Sequence, residues 1–205
     1  MAVGSPVLVT RFGPWIAHVN VHDAAALIAP AIPTPGGPWA DLGAGGGTVT
    51  RALVRLLGPG ATVHAVDRDA AAMASLRVPQ VATRVADFAD ADAWRALALP
   101  PLDGILLANA LHFVRDQHTV LARLADALAP NGRLVVVEYE GRAPSRWVPY
   151  PVGLDRLRAL LPVGMTAPVR VGERRSAYGG SMYAAWSGRD APAGTGRATP
   201  GPGAA

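Results

Sequence analysis

The chain has 205 residues, half of them hydrophobic, and 19 basic residues against 15 acids for a net charge of +4. That allows one domain with a sizeable core plus extensions. The absence of cysteine excludes disulfides and thiolate metal sites, and no metal site is expected. No apolar run approaches the roughly 18 residues of a membrane span, and Met1 to Phe12 lacks the basic start and apolar core of a secretory signal, so a cytoplasmic protein is expected.

Residues 1–17 carry little pattern. Asp23 is placed to cap a short helix over Ala24 to Ala29, which Pro30 closes. Pro33-Thr34-Pro35-Gly36-Gly37-Pro38 is a turn-rich break. Then comes Trp39-Ala40-Asp41-Leu42-Gly43-Ala44-Gly45-Gly46-Gly47-Thr48, a short apolar run ending in an acid and a glycine loop. Beyond it Val49, Leu53, Leu56 and Leu57 fall on one helical face, with Arg51 and Arg55 opposite. The unit reads strand, glycine turn, helix. Glycine suits a backbone that bends sharply and meets a ligand closely, because it has no Cβ. The first turn of the helix offers unpaired N–H groups to an acceptor on that ligand.

Two cofactor classes use such a loop. The dinucleotide pattern G-x-G-x-x-G needs a third glycine where Thr48 stands. The pattern acidic-x-G-x-G-x-G is met by Asp41, Gly43, Gly45 and Gly47. An Asp beside the loop repels a pyrophosphate and suits a cation. The stretch resembles the first motif of the class I S-adenosylmethionine-dependent methyltransferases, whose cofactor carries an ammonium and a sulfonium and no phosphate. The resemblance implies an α/β, Rossmann-like, doubly wound seven-stranded sheet, mostly parallel, with one antiparallel strand near the C-terminus. It implies a cofactor site that includes Asp41, Gly43, Ala44 and Gly45. It also makes residues 1–37 a helical extension or lid in which His18 and His22 can face the pocket. A surface or hydrogen-bonded histidine is the plainer reading of both.

Gly58-Pro59-Gly60 stops the helix. Ala61 to Val66 is a second strand, running into Asp67-Arg68-Asp69. Asp67 lies 20 residues beyond Gly47, where an acid at the end of the second strand accepts both ribose hydroxyls. Both cofactor readings require such an acid, so it supports a nucleoside cofactor without choosing between them. Arg68 joins the candidate cofactor residues, and Asp69 caps a helix through Leu76. Val81 to Val85 is a third strand, followed by Asp87 and Phe88. The resemblance implies that Asp87 accepts from the adenine amine and that Phe88 packs on the ring. Capping of the helix Ala89–Leu97 falls better to Asp90.

Leu102 to Ala108 is almost continuously apolar, as at the centre of a parallel sheet. Asn109-Ala110-Leu111-His112-Phe113 follows at its carboxyl end, where ligands bind in open α/β sheets. This Asn-x-x-His text resembles the fourth motif of small-molecule methyltransferases. It lacks the Asn/Asp-Pro-Pro-aromatic text of many amine methyltransferases that act on DNA bases or protein side chains. Asn109 is a candidate cofactor contact and His112 the candidate general base. Packing against the cofactor or the next helix is the competing role of His112. A helix over Asp116 to Leu128, a turn at Ala129 to Gly132 and a fifth strand over Arg133 to Tyr139 follow. Leu128 to Leu134 resembles the family text L-x-P-G-G-x-L, with Asn131 in place of the first glycine, and Asn tolerates a left-handed turn. The resemblance spans about residues 38–140.

Past Glu140, Trp147, Tyr150 and two prolines mark a loop; with Tyr139 these aromatics either line an acceptor pocket or belong to the core. Leu154, Leu157, Leu160 and Leu161 make a short helix, and Val169–Arg175 with Met182–Trp186 a terminal hairpin. The cofactor-binding domain is expected over residues 38–188. Residues 189–205 hold no large apolar side chain and are expected to form a disordered tail. Residues 1–140 carry ten arginines against twelve acids, and residues 141–205 nine against three. These arginines are scattered, with no basic run of about five to eight residues, which favours a solvated surface over a nucleic-acid interface. No sizeable insertion exists for recognising a macromolecule. The expected activity is therefore transfer of a methyl group from S-adenosylmethionine to a small-molecule acceptor. The competing classes are a non-catalytic S-adenosylmethionine binder and, against Asp41, a dinucleotide-dependent oxidoreductase.

Overall fold

The structure is a computed structural model that describes residues 20–33, 36–176 and 180–189. His18 and residues 190–205 of the expected tail lie outside the described residues. The chain runs through α1 (Val21–Ile28), β1 (Pro38–Leu42), α2 (Thr48–Leu57), β2 (Thr62–Asp67), α3 (Ala70–Ser75), β3 (Val81–Val85) and α4 (Ala91–Ala96). It continues through β4 (Leu102–Ala108), α5 (Gln117–Ala127), β5 (Leu128–Glu140), α6 (Leu154–Leu160), β6 (Val169–Arg175) and β7 (Ser181–Gly188). The seven strands form one sheet in the order β3-β2-β1-β4-β5-β7-β6. Pairing is parallel from β3 through β5, and β7 runs antiparallel to both its neighbours. The expected doubly wound sheet with a single reversed strand is present.

Alternation along the strands builds two cores. Val135, Val137 and Tyr139 of β5 pack with Ile28 of α1 and Leu53, Val54 and Leu57 of α2. Leu134 and Val136 face the other way, onto Val120, Leu121 and Leu124 of α5 and Leu157 of α6. Helices cover both faces, which is why β1, β4 and β5 are apolar on both sides.

Three boundaries differ from expectation. Asn20, not Asp23, caps α1: its side chain accepts from the Asp23 N–H at 2.8 Å. Starting at Val21 puts Ala24, Ala25 and Ile28 on the buried stripe, and it frees the Asp23 carboxylate to pair with Arg174 at 3.1 Å. Next, the turn at Ala129 to Gly132 is an excursion inside β5: the register with β4 passes from Leu102↔Leu128 directly to Gly104↔Arg133. Asn131 takes the left-handed conformation there, φ 64°, which its short polar side chain tolerates. Finally, Arg189, placed in the tail by composition, is docked: its N–H donates to the Gly132 carbonyl at 2.8 Å, and it bridges to Met165. Among the described residues no helix is long and apolar enough to cross a membrane.

Candidate active site

The register fixes where the candidate residues meet. Leu42 pairs with Val66, Asp67 with Val85, and Ala108 with Val137. The parallel strands therefore end along one edge. Asp41, Asp67, Asp87, Asn109 and Glu138 all sit at or just past that edge.

The glycine loop is taut. Gly43 and Gly47 have φ of 77° and 75°, a region that favours glycine. A Cβ on Gly43 would lie 2.6 Å from the Ala110 Cβ, so the loop packs directly on the segment after β4, with the Phe88 ring alongside. Its donors are taken inside the fold. The Gly43 and Ala44 N–H groups donate to the Val66 carbonyl at 2.8 and 3.1 Å, and Gly47 N–H to the Ala44 carbonyl at 2.9 Å. Gly45 N–H donates to an Asp67 carboxylate oxygen at 2.8 Å. The other Asp67 oxygen accepts from Asp69 N–H at 2.8 Å. These four donors are not those of the first turn of α2, which begins at Thr48. The glycines serve close packing, and Asp67 is held rigidly with one backbone donor on each oxygen, leaving further lone pairs.

Asp41 lies beneath the loop, 1% exposed, and accepts from the Thr50 hydroxyl at 2.6 Å. Burial pushes its carboxyl up to about 7 from 3.8; the Thr50 hydrogen bond opposes that, and the neighbouring Asp67 charge adds to it. A positive ligand nearby would relieve this burden.

On the β3 side, Asp87 accepts from Ala89 N–H at 2.9 Å and stands 4.0 Å from the Arg68 guanidinium. Capping of α4 belongs to Asp90, whose side chain accepts from Asp92 and Ala93. Phe88 is buried, and its carbonyl is held by Arg123 of α5 at 2.8 Å.

On the β4 side, Asn109 turns the chain off the strand with φ 53°. Its own N–H donates to the Val137 carbonyl at 2.8 Å. Its side chain is buried, and neither amide atom has a partner. A buried, unpaired amide costs about 1–3 kcal/mol, so it marks a position awaiting a polar group.

His112 is 2% exposed in a single 3-10 turn, Leu111–Phe113. Its Nδ1 meets a Glu138 carboxylate oxygen at 2.7 Å, and the other Glu138 oxygen accepts the His112 backbone N–H at 3.0 Å. Glu138 is fully buried. With a carboxylate on Nδ1, the proton sits there and the lone pair is left on Nε2. Glu138 is a further candidate that sequence reasoning missed; its signal is an acid directly after the apolar run Val135-Val136-Val137 within β5. Its neighbour in the register, Tyr183, has its phenol pushed upward by burial and by the Glu138 charge. Gln117 ties this corner together: its amide donates to the Leu111 and Tyr150 carbonyls and accepts from Arg156.

Of the aromatic candidates, Tyr139 is core, while Trp147 and Tyr150 are exposed at 46% and 36%. Tyr150 is drawn to the site by its N–H, which donates to the His112 carbonyl at 3.0 Å. His22 lies exposed on α1.

Residues 40–134 match the model of a family described as a methyltransferase domain. No curated protein matches the sequence. Among solved structures, TrmN from Thermus thermophilus superposes with a TM-score of 0.58 at 20% identity, over 82% of this chain and 48% of that one. A SAM-dependent methyltransferase from Aquifex aeolicus gives 0.62 at 14%, over 82% and 89%. Human N-acetylserotonin methyltransferase, solved in complex with SAM, gives 0.60 at 18%, over 86% and 53%. The chain thus spans about half the length of two of these three. At such identities the likeness is one of fold.

Proposed function

We propose, from the premise that residues 40–134 belong to the methyltransferase-domain family and that the fold is that of the class I S-adenosylmethionine-dependent enzymes, that the chain transfers a methyl group from S-adenosylmethionine to a small-molecule acceptor. One observation carries the choice of cofactor. Asp41 lies buried directly beneath the loop. An acid there repels a pyrophosphate and favours a cation.

S-adenosylmethionine supplies an activated methyl on a sulfonium. The chain's own residues then bind, orient and move a proton. Asp67 accepts from ribose hydroxyls with its remaining lone pairs. Asp87 accepts from the adenine amine, and Phe88 packs on the ring. Arg68 stands beside Asp87 and screens its charge. Asp41 provides negative potential under the loop. The Asn109 amide gains a polar partner at the end of β4. Proximity and orientation supply roughly 7–11 kcal/mol of the barrier. His112 Nε2, held in the basic tautomer by Glu138, takes the proton of a hydroxyl acceptor.

The test is transfer of labelled methyl to a panel of phenols, acids, amines and thiols. Label in a small product supports the reading; cofactor binding with no label transferred to any acceptor contradicts it. For the ribose contact, Asp67→Ala is expected to weaken S-adenosylhomocysteine tenfold or more in calorimetry, since hydrogen bonds to a charged group are worth roughly 1.5–3 kcal/mol. Unchanged affinity would place Asp67 outside the site.

A further inference from the structure

The turn that carries Asp87 and Phe88 is gripped by a neighbouring helix. Arg123 of α5 donates from one nitrogen, Nη2, to the Phe88 carbonyl at 2.8 Å and to the Ala89 carbonyl at 2.9 Å. Among the described residues these are its hydrogen bonds, and neither goes to an acid. The side chain is half-buried, and its Nε is buried with no partner. A cation drawn partly out of water with no paired acid is costly, and an apolar side chain would fill the place without that cost. What Arg123 adds is a hold on two successive carbonyls.

Other bonds shape this turn without fixing where its middle stands. Asp90 N–H donates to the Asp87 carbonyl at 3.1 Å, and Ala89 N–H to an Asp87 carboxylate oxygen at 2.9 Å. Both are internal to the turn. Ala86 N–H donates to the Asp67 carbonyl at 3.1 Å, which ties the start of the turn to β2. The Arg123 bonds tie its middle to α5, whose Val120, Leu121 and Leu124 are seated in the core beside Phe88. The Phe88 ring lies 3.8 Å from where a Gly43 Cβ would stand. Any shift of the turn would move the Asp87 carboxylate and the Phe88 ring together against the glycine loop.

Resting on the cofactor reading above, we propose that Arg123 is a positioning residue for adenine recognition: it touches no ligand, and its grip on the Phe88 and Ala89 carbonyls keeps the Asp87 carboxylate where the adenine amine arrives. One Asp87 oxygen is taken by Ala89 N–H; the other, 4.0 Å from the Arg68 guanidinium, is left for the amine. Without the grip the turn has to be ordered at the moment of binding, and that ordering subtracts from affinity.

The experiment uses the full chain and two ligands, S-adenosylhomocysteine and its purine-riboside analogue, which has hydrogen in place of the adenine amine. Each is titrated by calorimetry, below the thermal midpoint of the protein in the cell. The parent is expected to prefer S-adenosylhomocysteine by about tenfold or more, as for a hydrogen bond to a charged group. Arg123→Met keeps the apolar stem and removes the donors. It is expected to weaken S-adenosylhomocysteine by about tenfold, the cost of ordering a residue or two on binding. The analogue makes no bond to Asp87 and should lose less, so the preference narrows. Arg123→Lys keeps donors for both carbonyls but not the planar fork, and it is expected to narrow the preference less than Arg123→Met. A preference unchanged in the variants that fold overturns the proposal. Equal weakening of both ligands overturns it too, because it makes Arg123 a support of the fold alone. A parent that binds both ligands equally removes Asp87 from the adenine site and the proposal with it. Failure of S-adenosylhomocysteine to bind the parent would strike the cofactor reading itself, and this proposal falls with that reading.

Discussion

Replacing His112 by alanine is expected to lower turnover of a hydroxyl acceptor by about 10²-fold or more, with S-adenosylhomocysteine affinity nearly unchanged. The expectation comes from the buried pair: Glu138 holds Nδ1 at 2.7 Å and the backbone N–H of the same histidine at 3.0 Å. One carboxylate therefore sets both the tautomer and the position of the ring. Glu138→Gln keeps the shape but can accept only one of those two donors, because its NH₂ group must face the other. It is expected to lower kcat while leaving cofactor affinity in place. Glu138→Ala removes both acceptors and leaves two buried donors unpaired, at about 1–3 kcal/mol each, so its thermal midpoint should fall as well. The three variants separate a base from a packing residue. If His112 only packs against the cofactor, His112→Ala loses cofactor affinity, and Glu138→Gln leaves kcat intact.

The second large effect is on stability. Asp41 is buried, and its carboxyl is pushed up to about 7 in the fold, against 3.8 in a solvated chain. A raised carboxyl binds its proton more tightly in the folded state. The stability it contributes is full below pH 3.8, is lost as pH rises toward 7, and stays lost above that. Asp41→Asn is neutral throughout, and its side-chain oxygen can still accept from Thr50. The variant should match the parent in acid and exceed it above pH 7, by about 4 kcal/mol at 1.36 kcal/mol per pK unit. The same variant should bind S-adenosylmethionine more weakly, since the charge that burdens the fold is the one that faces the cation. Denaturant midpoints of both proteins at pH 4 and pH 8 check it. Equal midpoints at pH 8 would show that Asp41 is not held under strain.

How much of this was legible in the sequence follows from what each residue depends on. The βα order was readable because β1, β4 and β5 are apolar runs separated by helical spacing and glycine or proline breaks. Asp67, Asp87 and Asn109 were readable because each closes a strand, and strands that run parallel must end together. Glu138 was not. Its partner His112 is 26 residues away, and only the β4–β5 register brings the two together. The loop's own hydrogen bonds were not legible for the same reason: Val66 and Asp67 belong to the next strand, and only folding places them against Gly43, Ala44 and Gly45. Asn20 was passed over in favour of Asp23, a cap of similar preference. The helix begins at Val21, with Ala24, Ala25 and Ile28 buried, and that start puts Asn20 at the cap.

This edge is expected to bind a cationic nucleoside rather than a dinucleotide, and thermal unfolding with each ligand tests that directly. S-adenosylmethionine and S-adenosylhomocysteine at 100 times the dissociation constant should each add about 2.7 kcal/mol and raise the midpoint, while NAD at the same concentration should leave it unmoved. Stabilisation by NAD and none by either S-adenosyl ligand would contradict the account.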